Sequence, residues 1–185
     1  VTSAGFAQAY RRTGVSLSVS AIAGEGTGME RDHDYSAACH FEDLKTPQEV
    51  GKSAGERAVK RLNARKIASQ AVTVIYDRRV ASSLLGHLSS AINGAAIARG
   101  TSFLKSKMGQ QIFSKGISVI DDPLRLRGLA SRPFDGEGLS SSRRELIADG
   151  ILTGWVLDLR SARQLGLPPT GNGSRGLSSP PGPST

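Results

Sequence analysis

Asp77 to Phe103, D-R-R-V-A-S-S-L-L-G-H-L-S-S-A-I-N-G-A-A-I-A-R-G-T-S-F, decides how the rest of this chain is read. Leu84, Leu85, Leu88, Ile92, Ala95 and Ala96 recur at helical spacing, and Asp77 stands ahead of them as an N-cap. The spacing predicts a helix with Leu84, Leu88 and Ile92 in a core. His87 follows Gly86 on this helix, and Ser82 and Ser83 lie one turn before it.

Before this helix, Val15, Leu17, Val19, Ala21 and Ala23 alternate with Ser16, Ser18 and Ser20, the period of a half-buried strand. Met29 to Phe41 alternates too: Met29, His33, Tyr35, Ala37, Cys39 and Phe41 share one face, and Glu30, Asp32, Asp34 and His40 the other. With Gly24, Gly26 and Gly28 between them, the two runs predict an antiparallel hairpin. G-E-G-T-G lacks the Lys and Ser/Thr of a phosphate-binding loop, so it reads as the hairpin turn. Three carboxylates about 7 Å apart along a strand could hold a hard cation, but a solvated or Arg-paired face is the expectation. Thr46, Pro47 and Glu49 open a helix running to about Asn63, with Val50, Ala54, Ala58 and Leu62 as its apolar stripe. Ala71, Val72, Val74, Ile75 and Tyr76 predict a strand.

After Gly100 the pattern is of short strands and loops, at Ile117 to Ile120 and Gly150 to Asp158, with a helical turn or two at Leu159 to Leu165. The fold class is therefore expected to be α+β: an antiparallel hairpin and a mixed sheet, packed by two main helices. Residues 1–166 are expected to form one portion of the protein, and residues 167–185, rich in Gly, Pro and Ser, a loop or truncated end. Because Val1 is no initiator Met and the chain ends in L-S-S-P-P-G-P-S-T, the sequence reads as the middle of a longer protein.

Composition excludes several classes. With 185 residues, 38% of them hydrophobic, the chain has material for a core and is not disordered overall. It shows neither a run of about 18 apolar residues nor a leader pattern at Val1, so a soluble cytoplasmic protein is the default expectation. The single Cys39 cannot form an internal disulfide, and with His40 beside it on the opposite strand face a shared metal is disfavoured. A net charge of +8 raises the question of nucleic acid. Yet Arg57, Lys60, Arg61, Arg65 and Lys66 fall on the solvent side and tail of the first helix, only five Phe, three Tyr and one Trp are available for stacking, and no nucleic-acid-binding signature is present. Nucleic acid is disfavoured on these grounds. Ser140 to Ser142 belong to no G-x-S-x-G elbow and read as a polar loop.

Four later motifs occur in order: V-I-D-D-P at Val119 to Pro123, R-P-F-D-G-E-G at Arg132 to Gly138, D-G-I-L-T-G-W at Asp149 to Trp155 and T-G-N-G-S-R-G at Thr170 to Gly176. Together with the Asp77 helix they resemble the TldD/PmbA family, also known as modulators of DNA gyrase. Zinc-bearing members carry H-E-x-x-x-H in this helix. On that pattern Ser82 stands in place of the first His, Ser83 in place of the catalytic Glu, and His87 keeps the second His. Catalytic zinc needs three His, Cys or carboxylate ligands and a nearby base for its water, and Ser is poor in either role. Positions five apart also lie about 140° apart around a regular helix. The resemblance is thus to the PmbA-like (TldE) branch without the metal motif, and it implies a catalytically silent subunit in a peptidase complex. No metal or cofactor is expected in this chain, and zinc is expected in a TldD-like partner. Unfolded or small peptides are the implied substrates, and self-association is left open. A DNA-associated regulator acting on gyrase is the alternative. Substrate or interface contacts are expected at His87 and in the loop carrying Arg132, Phe134, Asp135 and Glu137, whose two carboxylates are expected to be exposed between Gly136 and Gly138.

Overall fold

The structure is a computed structural model that describes residues 2, 3 and 5–173. The chain divides into two compact units, one formed by Arg11–Val74 with Arg127–Leu129, the other by Val1–Tyr10, Ile75–Leu126 and Ala130–Thr185. The α+β class holds: helices lie beside antiparallel sheets.

In the first unit, β1 (Val15–Ala23) and β2 (Glu30–Ala38) pair antiparallel in the register Val15 with Ala38 through Ala23 with Glu30, which is the expected hairpin. Helix α1 (Pro47–Lys60) begins as expected: the Thr46 side chain accepts from the Glu49 amide and the Glu49 side chain accepts from the Thr46 amide. It ends three residues before Asn63, which takes a left-handed backbone with φ 59°. Val50, Ala54 and Ala58 are fully buried, and α1 contacts both strands. β2 turns its carboxylate face inward. Asp32, Asp34, Ser36 and Ala38 are buried while His33, Tyr35 and Ala37 are exposed. The reason is that Arg57 and Arg61 of the α1 flank meet those carboxylates, so the Arg-paired alternative prevails.

In the second unit, α2 (Arg78–Ala91) is capped by Asp77, whose carboxylate accepts from the Arg79 amide at 2.9 Å. The predicted single helix is broken at Asn93, which caps a short α3 (Gly94–Ala98). A three-stranded antiparallel sheet follows: β3 (Val119–Asp121), β4 (Arg144–Ala148) and β5 (Ile151–Leu152). Asp149 and Gly150, both with positive φ (47° and 82°), form the two-residue turn between β4 and β5, as the right-handed twist of a hairpin favours. Helix α4 (Leu159–Leu165) matches its predicted bounds and is capped by Asp158. Leu88, Ala91, Ile92, Ile97, Leu104, Ile147, Leu152, Trp155, Leu157 and Ala162 make its core.

Three expectations are corrected. The mixed sheet is antiparallel throughout, and the parallel contact found among the described residues is an isolated bridge between Asn93 and Val156. The strand expected at Ala71 to Tyr76 is irregular and exposed, with Ile75 91% accessible, because no strand among the described residues pairs with it. Leu84 lies outside the core at 48% exposure, because it borders an open groove rather than a packed layer; Leu88 and Ile92 are buried as expected. Part of the T-G-N-G-S-R-G motif and most of the Gly/Pro/Ser-rich segment lie outside the described residues.

Candidate functional site

The exposed half of α2 borders a groove of about 560 Å³ within the second unit. Leu88 and Leu104 are buried residues lining it, and Leu84, Phe103 and Phe113 are its exposed apolar residues, Phe103 at 79%. His87 also lines it and is itself exposed. The A-R-G-T-S-F turn is tied back onto α2: the Ser102 hydroxyl donates to the Ala91 carbonyl at 2.5 Å and accepts from the Leu104 amide at 3.0 Å. That pair of bonds fixes the turn on which Phe103 stands. An apolar recess with a single imidazole beside it suits apolar side chains of a ligand.

Its donor set does not suit zinc. The Ser82 hydroxyl donates to the Arg79 carbonyl at 3.3 Å and the Ser83 hydroxyl to the Val80 carbonyl at 2.7 Å, so both are engaged by their own helix. His87 would then be the one ligand of three, and among the described residues no group of three or more His, Cys, Asp or Glu could hold a metal ion.

The loop Arg132 to Gly138 behaves differently from its sequence reading. Asp135 is 4% exposed, not solvent-facing. One of its oxygens accepts from the amides of Glu137 and Leu139, both at 2.9 Å, and the other from the Gly173 amide at 2.8 Å. Glu137 is half-buried and accepts from the Leu159 amide at the start of α4 at 2.8 Å. The physical reason is that loop amides without a ladder partner need acceptors, and two carboxylates supply four oxygens. Phe134 is half-buried, edge-on to Phe6 at 4.9 Å and to Tyr10 at 5.2 Å. Arg132 is half-buried, and its amide donates to the Pro123 carbonyl at 2.8 Å. The Thr170 hydroxyl accepts from the Leu157 amide at 2.7 Å, and the Asn172 amide donates to Asp121 at 3.0 Å. Three of the resembling motifs are thus knitted into one brace.

In the first unit, Arg57 reaches Asp34 at 3.2 Å, and Arg61 reaches Glu30 and Asp32, each at 3.6 Å. The Ser53 hydroxyl, the Tyr35 amide and Arg57 together outweigh burial and hold the Asp34 carboxyl at about 2, below its ordinary 3.8. Two members of the basic cluster are therefore engaged by carboxylates rather than free for phosphates. Sequence reading missed the groove residues Phe103 and Phe113; the available signal was an aromatic directly after a polar turn, which is weak. It also missed Arg127, whose guanidinium meets Asp43 at 2.7 Å and Glu42 at 3.2 Å.

Comparison with known proteins places these observations. The model of the PmbA/TldA metallopeptidase central domain matches residues 1–62, and that of the C-terminal domain of the same family matches residues 69–185. A metalloprotease PmbA from Escherichia coli O157:H7 is 43% identical over 168 residues, covering 91% of this chain and 37% of its own length. Among solved structures, a protein from Bacteroides thetaiotaomicron described as a candidate modulator of DNA gyrase aligns with a TM-score of 0.80 at 31% identity, over 87% of this chain and 37% of its own. TldE from Thermococcus kodakarensis aligns with a TM-score of 0.66 at 25% identity, over 90% of this chain and 38% of its own. No helix among the described residues is long and apolar enough to cross a membrane.

Proposed function

Because this chain belongs to the PmbA/TldD metallopeptidase family, we propose that it serves a TldE-like role: the zinc-free subunit of a cytoplasmic peptidase complex, handling unfolded or small peptides while a TldD-like partner holds the zinc. The observation that carries the reading is α2 itself. His87 has no companion ligand there, both neighbouring hydroxyls are turned onto the helix, and an apolar groove lies alongside. On this reading the groove receives apolar side chains of an extended peptide and His87 hydrogen-bonds its backbone. Phe134, Asp135 and Glu137 act as positioning residues of the same unit, with Arg132 left as the polar contact from that loop.

The test is peptide hydrolysis by the protein alone, by a zinc-bearing TldD-type relative alone, and by the mixture. Activity is expected to rise in the mixture and to fall on changing Leu84 and Phe103 to Ser. Chelator-sensitive hydrolysis by the isolated protein would overturn the zinc-free reading. The gyrase alternative rests on how relatives are described, and the engaged Arg57 and Arg61 weigh against it. DNA binding with a steep salt dependence in the absence of any partner would revive it.

A further inference from the structure

The residues that line the groove beside α2 run from Leu84 to Phe113. From Arg78 to Ile120 the chain holds no Asp or Glu, and all 16 of its acidic side chains fall elsewhere. The same stretch carries Arg78, Arg79, Arg99, Lys105, Lys107 and Lys115. An ordinary solvated surface intersperses both signs, so a stretch of one sign around a recess gives that recess a positive field. Cations elsewhere are neutralised: Arg57, Arg61 and Arg127 each meet carboxylates, and Arg79 meets Asp77 of its own cap at 3.4 Å. Arg99, Lys105, Lys107 and Lys115 are exposed, and among the described residues no carboxylate pairs with them. Three of these cations flank the turn that carries Phe103. Arg99 is the C-cap of α3, three residues after Ala96 of the groove wall. Lys105 directly follows Leu104, and its ammonium lies against Gly100, 3.5 Å from where a side-chain carbon there would stand. The Lys107 amide donates to the Leu104 carbonyl at 2.8 Å, and its side chain donates to Gln110 at 3.2 Å.

We propose that this groove selects peptides in which an apolar side chain is flanked by carboxylates, the apolar group entering between Leu84 and Phe103 and the carboxylates meeting Arg99, Lys105 and Lys107. This selection rests on the groove being a peptide site, as proposed above, and adds the chemical class that the site takes. The walls are largely aliphatic, from Leu88, Leu104 and Ile112, whereas a nucleic acid needs a platform of aromatic faces for its bases. Each exposed charge contact favours binding by at most roughly fivefold, so two or three together give a selectivity of about tenfold. Salt removes that part alone, since in 1 M salt exposed charges are screened within about 3 Å while apolar contact persists.

The test is fluorescence anisotropy of the intact protein with three labelled peptides that share an apolar core of Leu and Phe and are flanked by Glu, by Gln or by Lys, in low and in 1 M sodium chloride. The Glu-flanked peptide is expected to bind about tenfold tighter than the Gln-flanked one in low salt and about equally in 1 M. Lys105→Gln combined with Lys107→Gln should weaken the Glu-flanked peptide about five- to tenfold and flatten its salt dependence, and Lys105→Arg combined with Lys107→Arg should keep the preference. If the Gln pair fails to fold, as judged by circular dichroism, Arg99→Gln takes its place and should weaken the same peptide about two- to fivefold. Equal affinity for all three peptides in low salt would overturn the charge selection and leave the groove as a peptide site. No binding of any of them, or binding that survives Leu84→Ser combined with Phe103→Ser, would overturn both. A single-stranded oligonucleotide that displaces the Glu-flanked peptide at lower concentration than the unlabelled peptide does would also overturn the proposal, because the cations would then be reading phosphates.

Discussion

Asp34→Asn is expected to destabilise the first unit by about 2 kcal/mol at neutral pH, and the loss should fade in acid. The magnitude follows from the carboxyl's fall from 3.8 to about 2, at about 1.4 kcal/mol for each tenfold change in acidity. Asp34 is 5% exposed, so solvent screening takes little from that value. The folded-state value lies below the unfolded one, so the contribution is complete above about pH 4 and is lost as pH falls towards 2. Asn keeps the size and one acceptor oxygen, and the loss of Arg57's charge partner is already contained in this figure, because that guanidinium is one of the groups that lowers the carboxyl. Amide exchange over residues 47–60 is the suitable assay. It reads α1 directly, whereas the fluorescence of Trp155 reports the other unit and serves as an internal control. The wild type should approach the variant's protection between pH 4 and 2. A difference that is equally large at pH 7 and pH 2.5 would refute the electrostatic account and point to lost packing.

In the second unit, Leu88→Ala should cost about 2 to 5 kcal/mol, and Leu84→Ala, half exposed, under about 1 kcal/mol; equal costs in Trp155-monitored unfolding would mean the wrong face of α2 is inward. Gly94→Ala should cost about 1 to 3 kcal/mol, because the added carbon would lie 2.6 Å from the Leu157 side chain and 2.7 Å from that of Ser161. A neutral result would show that α3 and α4 separate easily. Asp135→Ala should cost at least about 3 kcal/mol by stranding the amides of Glu137, Leu139 and Gly173, and Glu137→Gln, which keeps an acceptor for Leu159, should stay within about 1 kcal/mol. Reversed costs in the same unfolding assay would move the brace from Asp135 to Glu137.

The elements read well from sequence wherever the signal was local. The Thr46 capping box, the Asp77 cap and the Leu159 to Leu165 turn depend on residues within a few positions of one another, and all three stand as expected. Alternation also located the hairpin, but it could not say which face is covered. A strand of Glu30, Asp32 and Asp34 looks solvent-facing until Arg57 and Arg61, more than 20 positions away, are known to lie over it. β4 was hidden for a related reason. Its Arg144 and Glu145 look like loop residues, and the Asp149–Gly150 turn that pairs it with β5 was the better signal. The opposite error came at Ala71 to Tyr76, where β-branched composition expresses fitness for a sheet and cannot supply the neighbouring strand.

The candidate site divides along the same line. Ser82, Ser83 and His87 could be placed on one helix from spacing alone, and their donor chemistry was legible residue by residue. The carboxylates of the Arg132 to Gly138 loop were not, since an Asp between Phe and Gly was judged by its own sequence neighbours. In a loop without ladder partners, three amides converge on Asp135, and a charged acceptor shared by several amides is stabilised far more than one facing water. Burial therefore turns Asp135 from a ligand candidate into the bond that holds the loop. The groove beside His87 satisfies the opposite criterion: Leu84 and Phe103 bring apolar surface to an exposed rim where the fold itself gains nothing from it. Large apolar side chains exposed beside a formed recess suit recognition, so the proposed contact surface centres on α2 and His87, with the Arg132 to Gly138 loop as its support.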